Sequence, residues 1–341
     1  MSQQRTVYVC AGAWSGETGK IQVFHLDLDT AALTLVQELP AGGVAAFMAR
    51  SLDGRTLYVA DEVQGSIASY EIAPGSGELR LKNRVMTAGH PVYLAVDPRG
   101  SVLSTCFFAE AKTELFALEA DGRIGASACL VDSGKESHCT VFDPGGRCLF
   151  VPTRGDNWVA QYRFDPALRR LTPQAPAHVH EVEGAGPRHF AFHPNGRYAY
   201  LLNELNLSLS VYAFDAEHGT LSPLQRSLDV ALPGVSGGSS ADVHVHPEGR
   251  YLYASNRQGD QSSMAIFELD PASGRARLVG HEPTRGRTPR NFALDSSARI
   301  LIVGNQDSAD VAVFRVRAGG GGLDYVASRA VAPGPFFVGI Y

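Results

Sequence analysis

Six times along this chain a short apolar run meets an Asp-Pro- or His-Pro-type turn with glycine and returns as a second apolar run. The clear copies open at Asp97 (DPRGSVLSTCF), Asp143 (DPGGRCLFVPT), His193 (HPNGRYAYLLN) and His246 (HPEGRYLYASN). Ser51 (SLDGRTLYVAD) and Asp295 (DSSARILIVGN) open weaker ones. Successive starts are 46, 46, 50, 53 and 49 residues apart. A period of that size, filled with alternating strands and almost free of helix signals, belongs to the blades of a β-propeller. A blade cannot bury both of its faces alone, so the copies must pack into one closed ring. The same constraint localises chemistry, because equivalent positions of successive blades converge on the central channel.

Each copy reads as four strands. In the copy at His193 the first is expected over His189–Phe192, the second over Tyr198–Leu202, the third over Ser208–Phe214, and a weak outer strand near Leu221. The first strands are GGVAAFMA, GHPVYLAV, ESHCTVF, GPRHFAF, SSADVHV, TPRNFAL and GPFFVGIY. The last of these, Gly334–Tyr341, has no second strand after it, whereas YVCAGAW and GKIQVFHLD near the N-terminus are second and third strands without a first. The expectation is an all-β, seven-bladed β-propeller over residues 1–341, a single domain closed by the C-terminal strand docking on the N-terminal blade. Such closure leaves only short, protected edges. Pro335 is compatible because it starts its strand.

Apolar residues at 44% supply a large core, and charged residues at only 19% suit a chain that is mostly sheet. A formal net charge of −5 gives no reason to expect nucleic acid or an anionic membrane as partner. No apolar run reaches the length of a membrane span. The first ten residues (MSQQRTVYVC) hold one basic residue and no apolar core of a signal peptide. Five cysteines (Cys10, Cys106, Cys129, Cys139, Cys148) without a CxxC pair read as reduced thiols of a cytoplasmic protein, with Cys139 a small buried apolar residue. Nothing in the chain sets an oligomeric state.

Counting each copy from its turn residue as zero, the first strand begins near −5 and the second ends near +11. Both are equidistant from the turn centre and are expected to face one another across the hairpin, at one mouth of the channel. The −5 residues are Ala46, Val92, His138, Arg188, Ala241 and Arg290; the +11 residues are Glu62, Phe108, Arg154, Glu204, Arg257 and Gln306. Four arginines, two glutamates and a histidine thus share two slots, and Asp242, one residue past −5, is expected to join them. Arginines aimed into one cavity repel each other unless an anion belongs there, and their fork geometry suits carboxylate or phosphate. With His and Glu beside them, the set points to acid–base chemistry on a small anionic molecule.

Other clusters carry less. His178, His180 and Glu181 have an alternating spacing but are expected in a connection, and His246 takes a turn position that is Asp in other copies. The run Gly319–Gly322 follows a strand but opens no helix, so it reads as a turn, and VSGGSSAD (235–242) reads as a flexible connection near the site. There is no G-x-S-x-G, HExxH or P-loop pattern, and neither a metal nor a cofactor is expected.

The segments SHCTVFDPGGRCLFVP, GAGPRHFAFHPNGRYAYLLNEL and ADVHVHPEGRYLYASNR resemble the lactonase family of seven-bladed propellers, which includes 6-phosphogluconolactonases and a fungal carboxy-cis,cis-muconate cyclase. The resemblance covers essentially the whole chain. It implies a functional ring of His138, Arg188, Glu204 and Arg257, all of them in the slots derived above. Two stretches depart from the family pattern: Thr153-Arg154-Gly155 stands where Asp-Leu-Gly is usual, and Cys106-Phe107-Phe108 where Asn-Tyr-Gly is usual. Arg154 adds a cation and Phe108 an apolar wall, which points to a substrate more carboxylated, or more aromatic in origin, than a sugar phosphate.

The activity implied is hydrolysis of an anionic sugar lactone. Arg188 and Arg257 would anchor the anion and stabilise developing charge. Glu204 would position or deprotonate water and His138 would protonate the leaving oxygen, or the two would exchange these roles. Arg154, Arg290, Glu62, Asp242, Phe108 and Gln306 would contact substrate. Run backwards, the same residues would close a lactone on an unsaturated di- or tricarboxylate, the cyclase alternative. A non-catalytic binding platform is the other alternative, and it requires a large exposed apolar patch.

Overall fold

In the computed structural model of the protein, the structure describes residues 4–12, 19–319 and 321–341. They form seven four-stranded antiparallel sheets arranged as the blades of a propeller. The first blade is composite. Its inner strand is Pro335–Ile340, and Gln4–Ala11, Lys20–Asp27 and Leu33–Pro40 follow outward from it. The remaining inner strands are Ala45–Arg50, Pro91–Val96, Val141–Phe142, Pro187–Phe192, Ser239–Val245 and Pro289–Leu294, opening blades two to seven. The closure expected from the sequence is therefore present, with Val7 opposite Ile340 and Val9 opposite Val338. Within the described residues of the run 319–322, Gly319, Gly321 and Gly322 lie in the connection from the third strand, Asp310–Val316, to the outer strand, Leu323–Ala330, of blade seven; Gly320 lies outside the described residues.

Alternation explains the packing. Each strand presents one face to the blade before it and one to the blade after it, so the second and third strands are apolar on both faces. Seven hydrophobic clusters result, one at each blade–blade interface. The outer strands are largely exposed instead, as in Leu323–Ala330, where only Leu323 is buried, because one edge and much of the surface of these strands meet water. The outer strand expected near Leu221 is longer than its weak pattern implied, running over Thr220–Asp229.

The repeated turn residue works by accepting backbone protons. Asp143 Oδ1 takes the amides of Arg147 and Cys148, both at 2.6 Å, and Asp97 and Asp295 do the same in their copies. His193 and His246 substitute a ring nitrogen, with Nδ1 accepting from Asn195 and Glu248 amides. That is a structural use of His246.

The hairpin register differs from simple equidistance. Near the turn, Phe192 lies opposite Ala199 and His189 opposite Leu202, but one residue further Pro187 lies opposite Asn203, so Arg188 is extra. The same one-residue bulge recurs at Ala46, Val92 and Arg290, and it takes in Ala241 and Asp242 together in blade six. His138 sits in the matching gap between the Ser137–Thr153 bridge and the Val141–Phe150 pair. The −5 slot is thus a β-bulge, and +11 pairs with −7 rather than with −5: the Glu204 amide donates to Gly186 O at 2.7 Å, and Glu62 to Val44 O at 3.0 Å. A bulge frees its residue from the ladder and re-aims its side chain. Gly186, at φ +69°, lets the chain enter this geometry; a Cβ there would stand 2.5 Å from Leu205 Cγ.

Candidate active site

The bulge residues and the ends of the second strands surround a cavity of about 260 Å³ at one mouth of the channel. It is lined by Glu62, Val92, Phe108, His138, Arg154, Arg188, Glu204, Arg257 and Arg290. Ten residues were expected at the site, and eight of them are among these. The other two, Asp242 and Gln306, do not line it.

Glu204 is the hub of one wall. Its Oε1 accepts from Arg154 Nη1 at 2.9 Å and lies 3.1 Å from Arg257 Nη2; its Oε2 lies 2.9 Å from Arg188 Nε. The Arg188 contact is an ion pair without hydrogen-bond alignment, and Arg188 Nη1 donates instead to the Ala241 carbonyl. Burial alone would raise the Glu204 carboxyl, but Arg188, Arg257 and Arg154 outweigh it and hold the group at about 2. Arg188 is 1% exposed, and burial draws its guanidinium down to about 9, so it stays charged at neutral pH. Arg154 also donates to Glu136 at 2.8 Å and lies 4.8 Å from the Phe108 ring centre, a cation–π contact at the rim.

The other wall is less tied down. Among the described residues Arg290 makes no hydrogen bond or ion pair; its guanidinium rests 4.8 Å from the Phe336 ring centre. Glu62 Oε2 is buried without a hydrogen-bond partner. Between the walls stands His138, whose Nδ1 also lacks a partner. Burial, then the charges of Arg188, His189 and Arg290, push this imidazole well below its usual 6.5. His138 is therefore a neutral ring offering one donor and one acceptor, not an imidazolium.

Beneath the cavity lies a second layer made by the residues one step past each bulge: Phe47, Tyr93, Cys139, His189, Asp242, Asn291 and Phe337. Strand alternation turns them to the opposite side from the bulge residues. Phe47 stacks on Tyr93 at 4.0 Å and meets Phe337 at 4.5 Å. The polar half centres on Asp242, 3% exposed, with His189 Nδ1 at 2.7 Å, His244 Nε2 at 3.0 Å and Asn291 Nδ2 at 2.6 Å. This corrects the expectation for Asp242, which braces the floor rather than joining the mouth. A carboxylate only accepts, so His189 carries its proton on Nδ1. Gln306 holds the +11 slot of blade seven but is not among the residues that line the cavity; its Oε1 is buried without a hydrogen-bond partner.

Burial, then Arg188, lowers the His189 ring to about 4 despite Asp242. A histidine with a depressed folded value stabilises above its unfolded value near 6.5, and that contribution is lost as pH falls towards 4. His244 runs the other way: burial opposes but Asp242 raises it, so its contribution is complete below 6.5 and lost as pH rises through its folded value. Unfolding in urea at pH 7 and pH 4.5 should therefore show a stability loss on the order of 3 kcal/mol attributable to His189. His189→Gln should flatten that slope.

Sequence reasoning missed Phe336. It is the bulge residue of the composite blade, between Pro335 opposite Ala11 and Phe337 opposite Cys10. The signal was available: a proline precedes the slot residue at Pro91, Pro187, Pro289 and Pro335. Its +11 counterpart is Gly12, whose amide donates to Gly334 O at 3.0 Å. The histidine pair also changes place. His178 and His180 belong to the outer strand Arg170–His180 rather than to a connection, and His178 stacks on Trp158 at 4.4 Å. Glu181 is buried against Tyr212 and Ser210 hydroxyls. Within VSGGSSAD, Ser239–Asp242 is already strand.

The family model for the seven-bladed β-propeller lactonases matches residues 7–340. The chain belongs to this lactonase family. It is 32% identical to a 6-phosphogluconolactonase of Pectobacterium carotovorum subsp. carotovorum, over 99% of this chain and 98% of that protein. It is 30% identical to a 6-phosphogluconolactonase of Formosa agariphila, over 92% and 93%. Among solved structures it resembles the periplasmic gluconolactonase of Pseudomonas aeruginosa, with a TM-score of 0.92 at 28% identity over 99% of both chains. No helix among the described residues is long and apolar enough to cross a membrane. Exposed large apolar side chains are spread over all seven blades, from Leu35 in the first to Tyr325 in the seventh, rather than gathered on one.

Proposed function

We propose that this lactonase hydrolyses a small lactone carrying a negative charge, bound at the arginine-lined mouth. The observation that carries the reading is Arg290: a cation lining the cavity with no protein anion bonded to it among the described residues, across from the wall in which Arg257 and Arg188 surround Glu204. Four guanidinium groups face two carboxylates there, so the cavity has an excess of positive charge that a bound anion would neutralise. Its volume lies just below the range of pockets for drug-sized ligands, which suits a single sugar-sized ring.

Arg290 and Arg257 grip the anionic group, and Arg188 stabilises the charge that develops on the carbonyl oxygen as water attacks. Neutral His138 orients the substrate by hydrogen bonding. Glu204 orders the three arginines around it; so strongly bonded a carboxylate is a weak base. Phe108 and Val92 supply the apolar side of the ring site. The relatives carry lactonase names, which favours ring opening over the cyclase alternative.

A panel of neutral sugar lactones, their phosphorylated counterparts and muconate-type acids tests this, with ring opening or closure followed directly. Charged lactones should be turned over with at least about tenfold higher kcat/KM than neutral ones. Equal turnover of neutral lactones removes the role given to Arg290. Closure of muconate-type acids without lactone opening makes the protein a cyclase, and no turnover at all returns it to a binding platform.

A further inference from the structure

The hydrolysis proposed above needs a group that moves a proton, and the cavity offers few. Arginines do not give up protons at neutral pH. Glu204 is held ionised by three of them, and His138 is held neutral. One more ionisable side chain lines the cavity, Glu62, at the +11 slot of blade two. Blade two lies across the ring from blades five and six, which carry Glu204 and Arg257, so the two carboxyl groups bracket the space a substrate would fill. Among the described residues the Glu62 carboxyl makes no hydrogen bond: Oε2 is buried without a partner while the side chain lines the cavity, so the group is not committed to the protein.

We propose that Glu62 is the acid–base residue of this lactonase, taking the proton of the attacking water and passing it to the ring oxygen as that oxygen leaves. The assignment rests on the lactonase reading above. The water oxygen bonds to the carbonyl carbon while one water proton moves to the Glu62 carboxylate. The bond from the acyl carbon to the ring oxygen then breaks, and Glu62 returns the proton to that oxygen as a hydroxyl. The new carboxylic acid ionises to solvent, and the enzyme is unchanged. Arg188 faces the oxygen that becomes negative in between.

The surroundings of Glu62 suit the task. Arg290 and His90 pull its carboxyl down and Glu110 pushes it up; across the cavity stand Arg154, Arg188, Arg257, Glu204 and His138. His90 and Glu110 satisfy each other at 2.6 Å, which leaves Arg290 as the main opposing charge. Burial is the largest influence and brings the group up to about 7, where a carboxyl both accepts and returns a proton readily.

The test is the pH dependence of kcat/KM between pH 4.5 and 8.5 on the best lactone of the panel, with the spontaneous opening rate subtracted. The unaltered protein should lose activity as pH falls through about 7. Glu62→Gln, whose thermal unfolding checks that it folds, should lose about a hundredfold or more in kcat/KM, and its remaining rate should no longer show that limb. Glu62→Asp should keep the limb at reduced rate. If Glu62→Gln stays within a few-fold of the unaltered protein, or keeps the limb, Glu62 is not the acid–base residue although the lactonase reading stands. Activity that stays flat down to pH 4.5 takes the step away from Glu62, because a base held as low as Glu204 stays ionised over the whole range. No turnover by the unaltered protein overturns the reaction and the assignment together.

Discussion

Arg188→Met should lower kcat/KM for a charged lactone by roughly a hundred- to a thousandfold while shifting the melting temperature by about 3 °C or less. The two halves of this expectation come from the same burial. In the role proposed for it, a guanidinium that is 1% exposed would act on the reacting oxygen with little water between them, so its removal should be felt strongly in the transition state. The same burial makes the charge costly to keep in the folded protein, and a methionine of similar volume fills the space without that cost. Removing one member of a buried ion pair usually destabilises by leaving its partner alone. Here Glu204 retains Arg154 at 2.9 Å and Arg257 at 3.1 Å, so it is not left alone. Steady-state kinetics and a thermal melt on one preparation check both halves. A fall of less than tenfold in kcat/KM would remove Arg188 from the chemistry. A melt lowered by ten degrees would show that the side chain holds the blade together, and the lost activity would then say little.

The repeat made the architecture legible because each blade spells out its own hairpin: the turn residue that accepts two amides is visible as Asp143 or Asp97 in the string itself. It also led to the mouth, since Arg188, Glu204, His138 and Arg257 occupy slots that recur at fixed distances from that turn. What could not be read was the direction of each slot. One inserted residue per inner strand shifts the register, and a period of nearly fifty residues is too coarse to reveal it. Hence Asp242, adjacent in sequence to a mouth position, lies on the floor with His189 and Asn291. The charge states were hidden for a different reason. Glu62 and Glu204 are the same residue in the same slot, and what separates about 7 from about 2 is how many arginines reach the buried carboxyl: Arg188 of its own blade with Arg257 and Arg154 of the neighbouring blades for Glu204, but Arg290 alone for Glu62. Spacing within one copy shows Arg188 and not the arginines of the other blades. Phe336 was hidden because its copy is split between the two ends of the chain, and only the proline before it marks the position.

That split copy leads to the largest structural effect expected of any change considered. A chain ending at Gly334 should fail to give a cooperatively folded protein. All six residues of Pro335–Ile340 are buried. Val338 and Ile340 belong to the cluster between blades one and seven, and Phe337 to that between blades one and two. Burying Phe336, Phe337, Val338 and Ile340 contributes about 1.5–3 kcal/mol each, roughly 6–12 kcal/mol together. That is comparable with the whole net stability of a typical domain, about 5–15 kcal/mol. The loss is compounded by what it exposes. The strand Gln4–Ala11 would change from a paired position to an open apolar edge, a template for pairing with other chains. Circular dichroism melts and size-exclusion chromatography of the shortened chain provide the check, with aggregation or a non-cooperative melt expected. Val338→Asp, which keeps the backbone pairing but puts a carboxylate into the apolar cluster, should produce a milder form of the same failure. A shortened chain that melts cooperatively within about 5 °C of the full one would mean that six blades and three leftover strands suffice. Circular closure would then not be what holds the arginines around the mouth.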